Sequence, residues 1–129
     1  MASTDTTIAG SKAADISNMV VRLTNQYTGR GPTRARTYIN DDLVTVVLQD
    51  SLTKGERTLV GHDHRELVLS TRRAFQQAMQ ADFVEGIEEI LVGREVTAFL
   101  SANHAQPDYA VEIFILAPAA GPSAPPSGE

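Results

Sequence analysis

The segment Gly29-Arg30-Gly31-Pro32-Thr33-Arg34-Ala35-Arg36 carries the residue types best suited to chemistry in this chain. Backbone amides beside the glycines, together with three arginines, could hold an anion such as phosphate, bicarbonate or a carboxylate. Arg30, Arg34 and Arg36, with Gly29 and Gly31, are therefore the candidates for anion or partner binding. The segment lacks the Gly-Lys-Ser/Thr ending of a Walker A loop. It also precedes a strand instead of following one into a helix, so the dinucleotide fingerprint does not apply. A plainer reading stands beside the first: a Gly-Pro helix stop followed by a strand with a solvated arginine face.

The other chemically suggestive groups fit simpler roles. His62-Asp63-His64, with His104, offers imidazoles, but a structural zinc site needs four ligands in a fixed tetrahedron and the chain has no cysteine. Gly-His-Asp-His at a helix start fits a solvated cap better, the acid being favoured by the helix dipole. Glu85, Glu88 and Glu89 fall on one side of a helix, where a solvated face is the economical reading. Arg72-Arg73 reads the same way. Ser51, Ser70 and Ser101 sit in no Gly-x-Ser-x-Gly elbow and have no base partner visible in sequence. No catalytic residue, metal site or cofactor is assigned.

The elements that position these groups follow from hydropathy patterning. A helix over roughly Ile8–Tyr27 aligns Ile16, Met19, Val20, Leu23 and Tyr27 in one apolar stripe, and Gly29, Gly31 and Pro32 stop it. Thr33–Ile39 and Leu43–Gln49 form a hairpin about Asn40-Asp41-Asp42. A two-residue loop there puts Ala35, Thr37 and Ile39 on the face of Val44, Val46 and Leu48. Thr53 and Glu56 form a capping box for a short helix reaching about Val60, which breaks at Gly61. Asp63 then caps a longer helix to about Val92, with Leu67, Thr71, Ala74, Phe75, Ala78, Phe83, Ile87, Ile90 and Leu91 facing inward and Gly93 as its stop. Glu95–Ala102 and Tyr109–Leu116 make a second hairpin around the loop 103–108. In it, Val96, Ala98 and Leu100 share a face with Val111, Ile113 and Ile115.

The pattern is α-β-β-α-β-β, an α+β fold. A four-stranded antiparallel sheet with helices on one face satisfies it, using one short and two longer helices. Residues 8–116 form a single domain. Residues 117–129, rich in Pro, Ala, Gly and Ser, are expected to be a disordered tail, and the first seven residues to fray. The second face of the sheet is expected to be partly apolar, with Tyr38, Leu43, Val47, Phe99, Phe114 and Leu116 on it. Such a face needs a cover: the first helix, the tail or another copy. Tyr38, Val47, Phe99 and Phe114 are the interface candidates, and a homodimer or higher homo-oligomer is the favoured arrangement.

The bulk properties set the outer bounds. The chain has 129 residues, 42% hydrophobic and 21% charged, a composition suited to one packed domain. A net charge of −5 disfavours binding to a nucleic-acid backbone. No apolar run reaches the ~20 residues of a membrane span. The absence of cysteine fits a reducing cytoplasm, and the chain is expected to be soluble and cytoplasmic.

With these elements in order, residues 19–116 resemble the MpsC domain family, small bacterial proteins first described as a domain of unknown function. The landmarks are Thr28-Gly29-Arg30-Gly31-Pro32 after an amphipathic helix, Arg36-Thr37-Tyr38-Ile39, and Leu43-Val44-Thr45-Val46-Val47-Leu48. Leu52-Thr53-Lys54-Gly55-Glu56 follows, then a long helix carrying Arg72-Arg73 and a final strand Val111-Glu112-Ile113-Phe114-Ile115-Leu116. The Gly-Arg-Gly-Pro and Leu-Thr-x-x-Glu segments in this order are the specific part. The resemblance implies association with a sodium-translocating, membrane-potential-generating system in which membrane-protein partners do the transport. It supplies no catalytic residues. The expected function is a non-enzymatic accessory or regulatory domain acting through protein contacts. A small-anion sensor using the Gly29–Arg36 loop and an uncharacterised enzyme are the alternatives.

Overall fold

The computed structural model describes residues 4–119, with side chains from Gly10 onward. The expected disorder after Leu116 therefore lies almost wholly outside the described residues. The elements are α1 (Thr4–Thr28), β1 (Arg34–Asn40), β2 (Leu43–Gln49), α2 (Lys54–Gly61), α3 (Arg65–Ile90), β3 (Val96–His104) and β4 (Tyr109–Leu116). The four strands form one sheet in the order β1-β2-β4-β3, antiparallel throughout. Helix α1 packs over β1 and α3 over β3, and the two helices also pack against each other. The expected α+β class and strand count hold. Helix α1 starts earlier than expected, reaching into the segment taken to be frayed.

The first hairpin has the expected register. Asn40 pairs with Leu43, leaving Asp41-Asp42 as a two-residue turn, and Ala35, Thr37 and Ile39 stand opposite Leu48, Val46 and Val44. The join between hairpins decides which faces coincide. Val46 stands opposite Glu112 and Val44 opposite Phe114, so the even-numbered β4 residues share the helix-covered face. Phe99 pairs with Phe114 on that same face. The assignment of Phe99, Phe114 and Leu116 to the second face is thus corrected. Phe114 and Leu116 are buried, and Phe99 packs against the core. A register shift between Val96 and Ala98 also moves Val96 out of the set it was expected to share with Ala98 and Leu100, and it packs against the core too.

The core joins Ile16, Met19, Val20 and Leu23 of α1, Met79, Phe83 and Ile87 of α3, and the inward residues of β2 and β4. Phe83 meets Phe99 and Phe114 edge-on, with ring centroids 5.9 and 6.3 Å away. Full burial of each large apolar side chain here stabilises by about 1.5–3 kcal/mol. Tyr27, expected in the core, lies at its margin, 37% exposed, where its hydroxyl donates to Asp82 Oδ2 at 2.6 Å.

Helix α2 begins with the expected capping box: Thr53 Oγ1 accepts from Glu56 N and Glu56 Oε1 accepts from Thr53 N. Asp63 does not cap α3. It takes a left-handed conformation (φ 68°) in the turn between the helices, and His64 occupies the cap position with no side-chain bond. The inward stripe of α3 is also rotated from expectation over its first half. Leu67 is 54% exposed and Ala74 and Ala78 are exposed, while Val68, Arg72, Gln76 and Met79 are buried.

Candidate functional site

The Gly29–Arg36 segment divides into two parts. Thr28 ends α1, and Gly29 follows with φ 85°, its N–H donating to Asn25 O at 2.8 Å. This left-handed step turns the chain out of the helix, and a glycine makes it without steric cost. Arg30 then reaches Asp50 at the end of β2: its Nη2 lies 2.8 Å from Asp50 Oδ2 and also donates to Asp50 O at 3.2 Å. Thr33 Oγ1 donates to the same carboxylate at 3.0 Å. The Thr33 hydrogen bond and the Arg30 guanidinium hold Asp50 below the usual carboxylate range. Arg30 is therefore occupied as a clasp between the α1–β1 connection and the β2–α2 connection.

Arg34 and Arg36 leave that clasp. Two residues apart on β1, they extend on the sheet face away from the helices. With Tyr38, Val47, Gln49 and Tyr109 they line a shallow cleft of about 150 Å³. Arg36 Nη1 donates to the Tyr38 hydroxyl at 3.4 Å, and Gln49 Nε2 to the Tyr109 hydroxyl at 3.0 Å. The structure brings Arg34 and Arg36 together but leaves Arg30 out of the cleft, so the three arginines do not converge.

The face around that cleft is uncovered among the described residues. Its central strands present Leu43, Thr45 and Val47 from β2 beside Val111, Ile113 and Ile115 from β4, with Leu100 on β3 and Tyr38 on β1 flanking them. Tyr38 and Leu100 are each 53% exposed and Leu43 is 38% exposed. Of the four interface candidates, Tyr38 and Val47 belong to this open face. Leu43, the sheet residue expected beside them, does too.

Beneath the other face lies a polar constellation that sequence reading missed. Glu112, 2% exposed, projects from β4 toward α3. Its Oε1 accepts from Ser101 Oγ at 2.5 Å and its Oε2 from Gln76 Nε2 at 3.1 Å. Gln76 and Asn103 exchange two further hydrogen bonds, of 3.0 and 2.8 Å. One turn earlier on α3, Arg72 is 3% exposed, with Nη2 donating to Ser51 Oγ at 2.9 Å and Nη1 lying 3.4 Å from Glu56 Oε1. The reading of Arg72 as solvated is corrected; Arg73 is exposed. Burial pushes the Glu112 carboxyl up to about 7, against the opposing pull of Ser101, Gln76 and Arg72. The group can thus hold or release a proton near neutrality. Its one sequence signal is an acid alternating with Phe114 and Leu116 on an otherwise apolar strand.

The histidines are engaged locally. His62 Nδ1 lies 2.9 Å from Thr58 O and His104 Nδ1 lies 2.8 Å from Pro107 O. Glu88 Oε2 accepts from Val96 N at 2.9 Å, joining the end of α3 to β3.

Comparison with known proteins gives one match. The family model described as the Na+-translocating membrane potential-generating system (MpsC) matches residues 9–118. No curated protein and no solved structure matches the chain.

Proposed function

We propose, from the premise that this chain belongs to the MpsC family, that it is a non-enzymatic accessory or regulatory component of a sodium-translocating, membrane-potential-generating system. It acts through protein contacts made at the open face of its sheet, from the cytoplasmic side. No helix among the described residues is long and apolar enough to cross a membrane, so in this reading ion movement belongs to membrane-protein partners.

The observation that carries the reading is the apolar centre of the open face. Val47, Val111, Ile113 and Ile115 sit side by side on the two central strands with no helix among the described residues above them. A contiguous apolar patch rimmed by polar groups marks a contact surface in soluble domains. The polar groups elsewhere are engaged within the domain. Glu112 has its oxygens bonded to Ser101 and Gln76, and Arg30 is engaged by Asp50.

The test is complementation. Cells lacking the protein are supplied with the wild type, with Ile113→Lys or with Gln77→Lys, and sodium-dependent membrane potential is measured with a voltage-sensitive dye. The wild type and Gln77→Lys, an exposed α3 position, restore the potential, whereas Ile113→Lys does not. Full restoration by a folded Ile113→Lys protein would remove the basis for the reading.

A further inference from the structure

We propose that the open face is the seat of a two-fold homodimer in which the Arg34–Arg36 end of one copy lies against the Asp41-Asp42 turn of its partner. The proposal rests on the reading of this face as a contact surface and names its occupant as a second copy of the chain.

Charge and apolar area are arranged along the face in a self-complementary way. One end bears Arg34 and Arg36, and the β1–β2 turn at the other end bears Asp41 and Asp42. Among the described residues none of these four takes part in an ion pair; the pairs present are Arg30–Asp50, Arg57–Asp50 and Arg72–Glu56. Both ends are thus unneutralised charges bordering an apolar centre, an arrangement that a partner of matching sign would complete.

Symmetry then selects one geometry. Two sheets packed face to face as an isologous pair are related by an axis lying between them. An axis along the strands keeps like ends together and sets β1 over the partner's β3, so neither charged end meets its opposite. An axis across the strands reverses one sheet end for end, so β1 runs antiparallel above the partner's β1 and each arginine end meets an aspartate turn. Midway between Arg34 and Asp41, that axis falls between Thr37 and Tyr38. On the neighbouring strands this level is bounded by the Val47–Val111 and Thr45–Ile113 pairs. The axis that matches the charges thus also passes over the apolar centre.

Other occupants fit less well. The C-terminal segment Ala120-Gly121-Pro122-Ser123-Ala124-Pro125-Pro126-Ser127-Gly128-Glu129 brings no large apolar side chain to such a face. A second copy carries both charges in the matching order by symmetry, which an unrelated partner would have to supply separately.

The experiment measures dimer dissociation of the full chain by sedimentation velocity over a concentration series. The variants are Ile113→Lys, Leu100→Asp, Arg34→Asp, Asp41→Lys and the double variant Arg34→Asp/Asp41→Lys. Far-UV circular dichroism checks the fold of each, and Leu100, on an edge strand and half exposed, serves if Ile113→Lys fails to fold. The expected result is a wild-type dimer that becomes monomeric in the folded apolar variant. Each single charge reversal should weaken the dimer by about tenfold, and the double variant should recover it to within about threefold. A wild-type monomer at high micromolar concentration overturns the proposal. So does a dimer indifferent to the apolar variant, or one in which the double reversal fails to rescue the single ones. A wild-type monomer whose Ile113→Lys variant still loses membrane potential overturns the dimer alone. A monomeric Ile113→Lys protein with full potential overturns the functional reading alone.

Discussion

Ser101 and Glu112 face each other across the β3–β4 pair, and the Ser101 hydroxyl donates to Glu112 Oε1 over 2.5 Å. This contact and the Gln76 bond favour the charged carboxylate, yet desolvation outweighs them and the group titrates at about 7 instead of 4.5. Between those values the folded state holds a proton that the unfolded chain has released. Stability accordingly falls as pH rises from 4.5 to 7 and levels off above, by on the order of 3 kcal/mol. Asp50 acts in the opposite sense, its pKa being lowered in the folded state, but only in the acid range around and below its ordinary value of 3.8. Urea denaturation from pH 5 to pH 8 should show the decline in the wild type. In Glu112→Gln the decline should be largely absent.

Arg72 and Glu56 form a buried pair with side chains 4% and 10% exposed, linking α3 to the capping box of α2. Removing one member strands the other charge away from water. Arg72→Met should cost about 3 kcal/mol, and adding Glu56→Gln, which keeps the cap, should recover part of the loss. Chemical denaturation of the single and double variants measures both.

Two glycines should respond oppositely to alanine. Gly29 has φ 85°, so Gly29→Ala forces a side chain into the left-handed region and should destabilise by about 1 kcal/mol. Gly55 lies in the first turn of α2, and a Cβ built there meets nothing within 4 Å. Gly55→Ala should stabilise by about 0.5 kcal/mol through the unfolded chain's lost freedom. Thermal unfolding midpoints give the signs.

Local patterns carried the elements and the first hairpin, because a two-residue turn at Asp41-Asp42 fixes that register by itself. The pairing of β2 with β4 spans the whole α2–α3 region, and nothing within either hairpin states which faces align. For that reason hydropathy alone sets Phe99 and Phe114 on the wrong face. Apolar periodicity draws the inward stripe of α3 through Leu67, Ala74 and Ala78 and excludes Arg72 and Gln76. The structure buries those two polar residues by giving them Ser51, Glu56, Asn103 and Glu112 as partners, and such partnerships are invisible in one sequence. The arginine cluster was half legible. Alternation on a strand unites Arg34 with Arg36, but it says nothing of Arg30, which Asp50 captures from the far end of β2.

The open face is expected to touch protein in the cell. A photoreactive amino acid placed at Leu100 on that face, and at Gln77 on the outer side of α3 for comparison, would report its neighbours on illumination of living cells. The result expected is a covalent protein adduct from Leu100, to a second copy or to a membrane subunit of the transport system, and none from Gln77. A folded Leu100 variant that yields no protein adduct would contradict the account.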